Sequence, residues 1–175
     1  LKPLTLVGYD LFKELFLNEE TNMGRNYYKK LLTLIKRDWN GEQINRMLIK
    51  SCTKMLLEVG MTISIFKGHQ SYSNQNSEKE VYTEKFERLL LQEATEFYKN
   101  DSDKYLKSSN CPEFLKYLEE AIEKERERAL VLFDKQSEPK LINIIIKHCL
   151  EDNVEFLINC KSGLEYLLDE NKIDD

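Results

Sequence analysis

The chain has 175 residues, with 26 lysines and arginines against 31 acidic residues and a formal net charge of −5. A hydrophobic share of 41% is enough to bury a core, and no apolar run reaches the roughly 18 residues of a bilayer span, which excludes wholesale disorder and a transmembrane helix. Six glycines and three prolines are too few for a many-stranded β fold or a collagen-like chain, and an acidic surface repels nucleic-acid phosphate unless its cations cluster.

The helix period dominates the chain from its first residues. Leu4, Val7, Leu11, Leu15 and Phe16 mark a helix near 4–17. A polar break at 19–22 follows, closed by Gly24. Tyr28, Leu31, Leu32, Ile35 and Trp39 recur at steps of three and four, which puts them on one face of a second helix. Asn40-Gly41 ends it, because glycine tolerates the left-handed position past a helix terminus. Trp39, the one tryptophan, reads as a helix-end packing residue. Ile44, Leu48, Ser51, Cys52, Met55 and Val59 line the next helix, with Gly60 as its end. Residues 61–66 alternate but have no second strand to pair with, so they read as a loop or a helix extension.

Residues 67–80 are the one long polar stretch without periodicity, either a surface insertion or a recognition loop. Tyr82, Phe86, Leu89, Leu90, Phe97, Tyr98, Tyr105 and Leu106 then predict a long helix that bends or breaks near 100–103. Asn110-Cys111-Pro112-Glu113 is a helix start. Asn110 caps, Pro112 needs no donor in the first turn, and Glu113 stands three residues after the cap. The helix runs to about Asp134 with Leu115, Leu118, Ile122, Ala129 and Phe133 on its apolar face. Ser137-Glu138-Pro139 starts another by the same logic. Its run Leu141 to Ile146 predicts burial on several sides. Breaks near Asp152-Asn153 and Ser162-Gly163 divide the tail. Leu1 is not an initiating methionine, Lys2-Pro3 opens no signal-peptide pattern, and the helical pattern reaches Asp175; both ends read as cuts in a longer chain.

Chemistry-bearing motifs are scarce. No P-loop, dinucleotide fingerprint, His-Glu-x-x-His or Glu-x-x-His pattern occurs. His69 and His148 stand apart, and His148, Cys149 and Cys160 lack the paired spacing of a zinc site. Glu93 and Glu96 share a helix face but have no facing carboxylate across a cleft. Cys52, Cys111, Cys149 and Cys160 form no Cys-x-x-Cys pair, which predicts free, mostly buried thiols in a reducing compartment. The sequon at Asn100 falls in helical sequence and reads as chance. No catalytic, cofactor or metal residue is expected. The run Glu119 to Arg128 pairs Glu120 with Lys124, Glu123 with Arg126 and Glu125 with Arg128. It reads as a solvated face that stiffens a long helix or as a protein-docking surface.

Leu34 to Glu42 resembles the "LI-x-x-x-R-x-G-E" helix-turn of cullins, and Ile44 to Cys52 resembles their "D-R-x-L-I-R-S" helix with Asn45 for the usual Asp. Val81-Tyr82 with Phe86-Glu87 and Leu90 to Tyr98 is similar to "V-Y-x-x-x-F-E…F-L-x-x-T-x-x-F-Y". Ser102 to Leu106, Pro112 to Lys116, Glu123 to Arg128, Ser137 to Ile142 and Ser162 to Asn171 continue the match in order. The resemblance implies an all-α fold, a cullin-repeat-like five-helix bundle stacked in an elongated helical solenoid. Residues 1–135 would be the second repeat of the N-terminal stalk and 136–175 the start of the next. It implies a non-catalytic rigid scaffold of a ubiquitin ligase, cytoplasmic or nuclear, that spaces a substrate-receptor module from a RING protein. Both partners would dock largely outside this stretch, with no nucleic acid, membrane or cofactor. Residues 8–13 and 163–171 look closest to the branch that uses a β-propeller adaptor, while the insertion at 67–80 and Asn45 depart from the usual pattern. The competing reading is a free-standing helical tether unrelated to ubiquitin transfer.

Overall fold

A computed structural model describes residues 7, 8, 11, 12, 14, 17, 18, 20–66, 81–108 and 110–159, with side chains 60–66, 108 and 159 excepted. The expectations for Leu4, Leu15, Phe16, the 67–80 insertion, His69, Cys160 and the 162–171 tail lie outside these residues. The described residues are all-α. The helices are α1 Asn22–Trp39, α2 Arg46–Phe66, α3 Arg88–Ser108, α4 Cys111–Leu132, α5 Ser137–Ile145 and the short α6 Val154–Asn159. None of them is long and apolar enough to cross a membrane. Contacts gather into two compact units, Leu1–Leu90 and Leu91–Asp175, and the division falls inside α3.

In the first unit, the Thr21 hydroxyl accepts from the Gly24 amide at 3.0 Å and caps α1. The helix therefore begins before Gly24 rather than after it. Gly24 has a steric reason to be glycine: a Cβ there would stand 2.0 Å from the Asn18 carbonyl oxygen. The incoming chain is pinned to the helix by Tyr28, whose hydroxyl donates to the Leu17 carbonyl at 3.0 Å in the interior. Tyr28, Leu31, Leu32, Ile35 and Trp39 are buried on one stripe, as their spacing predicts.

The end of α1 is equally local. Gly41 has φ +77°. Its amide donates to Asp38 O and the Glu42 amide to Arg37 O, which closes a Schellman motif. The Arg37–Glu42 ion pair, 2.6 Å, spans the same turn. Asn45 then caps α2 by accepting from the Leu48 amide at 3.1 Å. Arg46 Nε and Nη2 donate to the two oxygens of buried Asp38 at 2.9 and 3.2 Å, tying the start of α2 to the end of α1.

Two expectations for α2 need correction. Gly60 does not end it; the helix runs on to Phe66. Its inward face is Ile49, Thr53, Leu56 and Val59, while Leu48 and Ser51 are exposed. The buried positions Ile49, Thr53 and Leu56 each follow an expected one, Leu48, Cys52 and Met55, by a residue, and the two stripes meet at Val59. Thr53 is tolerated inside because its hydroxyl donates to the carbonyls of Ile49 and Lys50. α2 packs on a wider π-type turn, Val81–Glu87, that buries Val81, Tyr82 and Phe86, with the two rings 5.4 Å apart.

In the second unit, α3 continues without a break through 100–103 to Ser108. Ser102 is fully buried within that stretch. At Asn110 the predicted capping box is complete. Its Oδ1 accepts from the Glu113 amide at 2.9 Å, and the Glu113 carboxylate accepts from the Asn110 amide at 3.3 Å. α4 buries Phe114 rather than Leu115, which is 38% exposed. Ser137 is buried inside the first turn of α5 rather than capping it, and its amide donates to Asp134 O. Burial of 141–146 is narrower than expected. Leu141 and Ile145 are fully buried, Ile142, Ile144 and Ile146 are half-buried, and Asn143 is exposed. The chain then widens at Ile146–Leu150, tightens at Glu151–Asn153 and resumes as α6, so the break predicted near Asp152-Asn153 is present.

Candidate functional site

The most concentrated polar chemistry among the described residues lies between α3 and α4. The Tyr98 hydroxyl donates to Glu125 Oε2 at 2.6 Å. Arg128 Nη1 donates to the same oxygen. Glu125 is fully buried and Arg128 6% exposed. The pair therefore leaves the solvated face on which its spacing placed it. The other two pairs of that run do lie at the surface, Lys124–Glu120 at 3.1 Å and Arg126–Glu123 at 2.9 Å. A signal for the buried pair was present: Phe114, Leu118, Ala121, Glu125, Arg128 and Leu132 keep one helical period, with two charges in core positions.

Burial first, then the charge of Glu125, pushes the Tyr98 phenol well above its ordinary range. Tyr117 behaves alike. Its hydroxyl donates to Asp101 at 2.7 Å, its ring stacks on Tyr105 at 3.8 Å, and burial followed by that hydrogen bond raises its pKa. Cys149 is fully buried, its thiol reaches the Tyr98 carbonyl at 3.8 Å, and burial pushes it up to about 11. These groups hold their protons at neutral pH. They are hydrogen-bond donors and packing groups, not thiolate or phenolate nucleophiles.

The other candidate residues scatter. His148 Nδ1 meets Asp152 Oδ2 at 2.8 Å on an exposed edge while Cys149, next in sequence, faces the interior. No three His, Cys, Asp or Glu groups converge on a metal-sized site among the described residues. Glu93 is half-buried and Glu96 exposed on α3. Trp39 is buried at the end of α1. Cys111 is buried and Cys52 half-buried, both as free thiols. Asn153 Nδ2 donates to the carbonyls of His148 and Cys149 at 2.8 and 3.2 Å and to Ser102 Oγ at 3.3 Å, satisfying backbone where the helix changes pitch. Such an arrangement holds helices in register.

Comparison with known proteins agrees with an all-α architecture. The sequence model of the family described as "Cullin alpha solenoid domain" matches residues 1–175. The chain is 31% identical over 146 residues to Cullin-3 of Dictyostelium discoideum, covering 83% of this chain and 17% of that protein. It is 28% identical to Cullin-2 of Arabidopsis thaliana over 98% of this chain and 21% of the relative. To Cullin-4A of Mus musculus it is 25% identical over 97% of this chain and 19% of the relative. The chain thus spans about a fifth of the length of these relatives, and three differently named cullins match it at similar levels. With the family's helical domain matched across its whole length, the chain belongs to the cullin family.

Proposed function

We propose that this chain is a non-catalytic scaffold segment of a cullin-RING ubiquitin ligase, spacing a substrate-receptor module from the RING protein and its ubiquitin-charged partner. The observation that carries the reading is the match of the cullin helical domain to residues 1–175. The packing suits the role. Within each unit, long helices packed through buried stripes and capped at Thr21 and Asn45 or at Asn110 resist bending. Residues 1–135 form one cullin-repeat-like bundle and 136–175 open the next. The adaptor and the RING protein dock on parts of the parent protein outside this stretch, in the cytoplasm or nucleus.

The test is a pull-down of the full-length parent protein from native extract, read by mass spectrometry. Recovery of a RING protein together with an adaptor and several receptors is expected, and the adaptor identifies the branch of the family. Recovery of neither, from a parent that is folded, overturns the reading and favours a helical tether without a part in ubiquitin transfer.

A further inference from the structure

The chain is acidic overall, yet its cations are not evenly spread. Residues 21–59 carry eight lysines and arginines against three acidic residues. On α1 the one acidic residue, Asp38, is buried and bound to Arg46. At about 100° per residue, Lys30 and Arg37 fall opposite the apolar stripe, Lys29 on its flank and Arg25 beside its edge, and all four are exposed. Arg37 is matched by Glu42. Arg25, Lys29 and Lys30 make no ion pair among the described residues.

Of these three, only Arg25 stands near the N-terminus of α1, where a cation opposes the macrodipole, and the first turn has no acidic residue to offset it. Arg25 and Lys29 are also a like-charge pair four residues apart, which is destabilising. Arg37, at the C-terminal end, is the only one of the four that the dipole favours. A ligand anion would relieve both penalties.

We propose that the exposed face of α1 docks an acidic segment of a partner protein, a run of aspartates and glutamates. From Arg25 to Arg37 the face is about 18 Å long, the span of roughly five or six residues of extended chain. Nucleic acid fits less well. The acidic remainder of the chain repels a polyphosphate rod, and no exposed aromatic ring on this face offers a stacking platform. An anionic bilayer meets the same repulsion over a wider area. A short acidic peptide engages the stripe alone. The surface is distinct from the ligase reading, and its test involves no ubiquitin transfer.

The experiment is fluorescence anisotropy of fluorescein-labelled decaglutamate titrated with the 175-residue chain at about 20 mM and about 500 mM salt. Binding at low salt that vanishes at high salt is expected. The variant Arg25→Gln/Lys29→Gln/Lys30→Gln, which keeps good helix formers, should lose about tenfold or more in affinity with unchanged far-UV circular dichroism. A control that removes the same charge elsewhere, Lys99→Gln/Lys116→Gln/Lys147→Gln, should lose less than about twofold. Equal losses in the two variants, or no salt-sensitive binding, overturn the proposal. So does tighter binding to duplex DNA or to phosphatidylserine vesicles than to decaglutamate.

Discussion

Two glycines separate two reasons for being glycine. Gly24 has ordinary helical backbone but no room, since its missing Cβ would press on the Asn18 carbonyl. Gly41 has open space but a left-handed φ. Gly24→Ala should cost about 1–3 kcal/mol through forced displacement of the chain before α1. Gly41→Ala should cost about 1–2 kcal/mol through backbone conformation alone, and Gly41→Asn should recover much of it because asparagine tolerates the left-handed region. Urea denaturation midpoints check both; a neutral Gly24→Ala would mean that Asn18 does not lie against the helix. Gly41 is legible in the sequence because Asn-Gly after an apolar stripe is a local signal. Gly24 reads there as a break because its constraint comes from a backbone atom six residues away, which no local pattern encodes.

Among the elements, capping chemistry is readable and faces are less so. Asn110 with Glu113 marks the start of α4 because every group in a capping box lies within four residues. The stripe on α2 is displaced by a residue before Val59 in the sequence reading, which starts from Ile44, a residue of the turn before the helix. The 141–146 run reads as buried all round because composition alone does not say which isoleucines face a neighbour. Ile145 does, with no exposure. Ile145→Asp should destabilise by about 3–5 kcal/mol, whereas Asn143→Asp at an exposed position should shift the melt little. Equal melts for the two would remove Ile145 from the core. The same contrast applies to the charged run of α4. Glu125→Ala leaves Arg128 buried without its carboxylate and should cost about 3–5 kcal/mol, far more than Glu120→Ala at the surface. A triple change to Tyr98→Phe/Glu125→Leu/Arg128→Met, which leaves no buried hydroxyl without its acceptor, should fall much closer to the parent protein in thermal denaturation.

At the scale of the molecule, family and fold class are legible because they rest on the ordered sum of many weak segments, none decisive alone. The buried network is not, because a charge in a helical sequence reads as solvated until a neighbouring helix is placed over it. That network gives the whole domain a pH response. Cys149, Tyr98 and Tyr117 all have folded-state pKa values raised by burial. A raised acid of this kind contributes stability that is complete below its unfolded value, 9.0 for the thiol, and is lost as pH climbs through the folded value of about 11. Melting temperature should therefore decline from about pH 9 upward. Cys149→Ala should make that decline shallower; an unchanged slope would show that the thiol does not titrate with folding.

The Glu125–Arg128 pair also shapes how this chain can change over generations. Losing either member removes the counter-charge of this pair from a buried group, while exchanging both together with the Tyr98 hydroxyl can leave a sound apolar core. Single substitutions thus lead downhill from two directions toward a state that is itself viable. The pair, with Tyr98 attached, behaves as one heritable unit, replaced together or not at all.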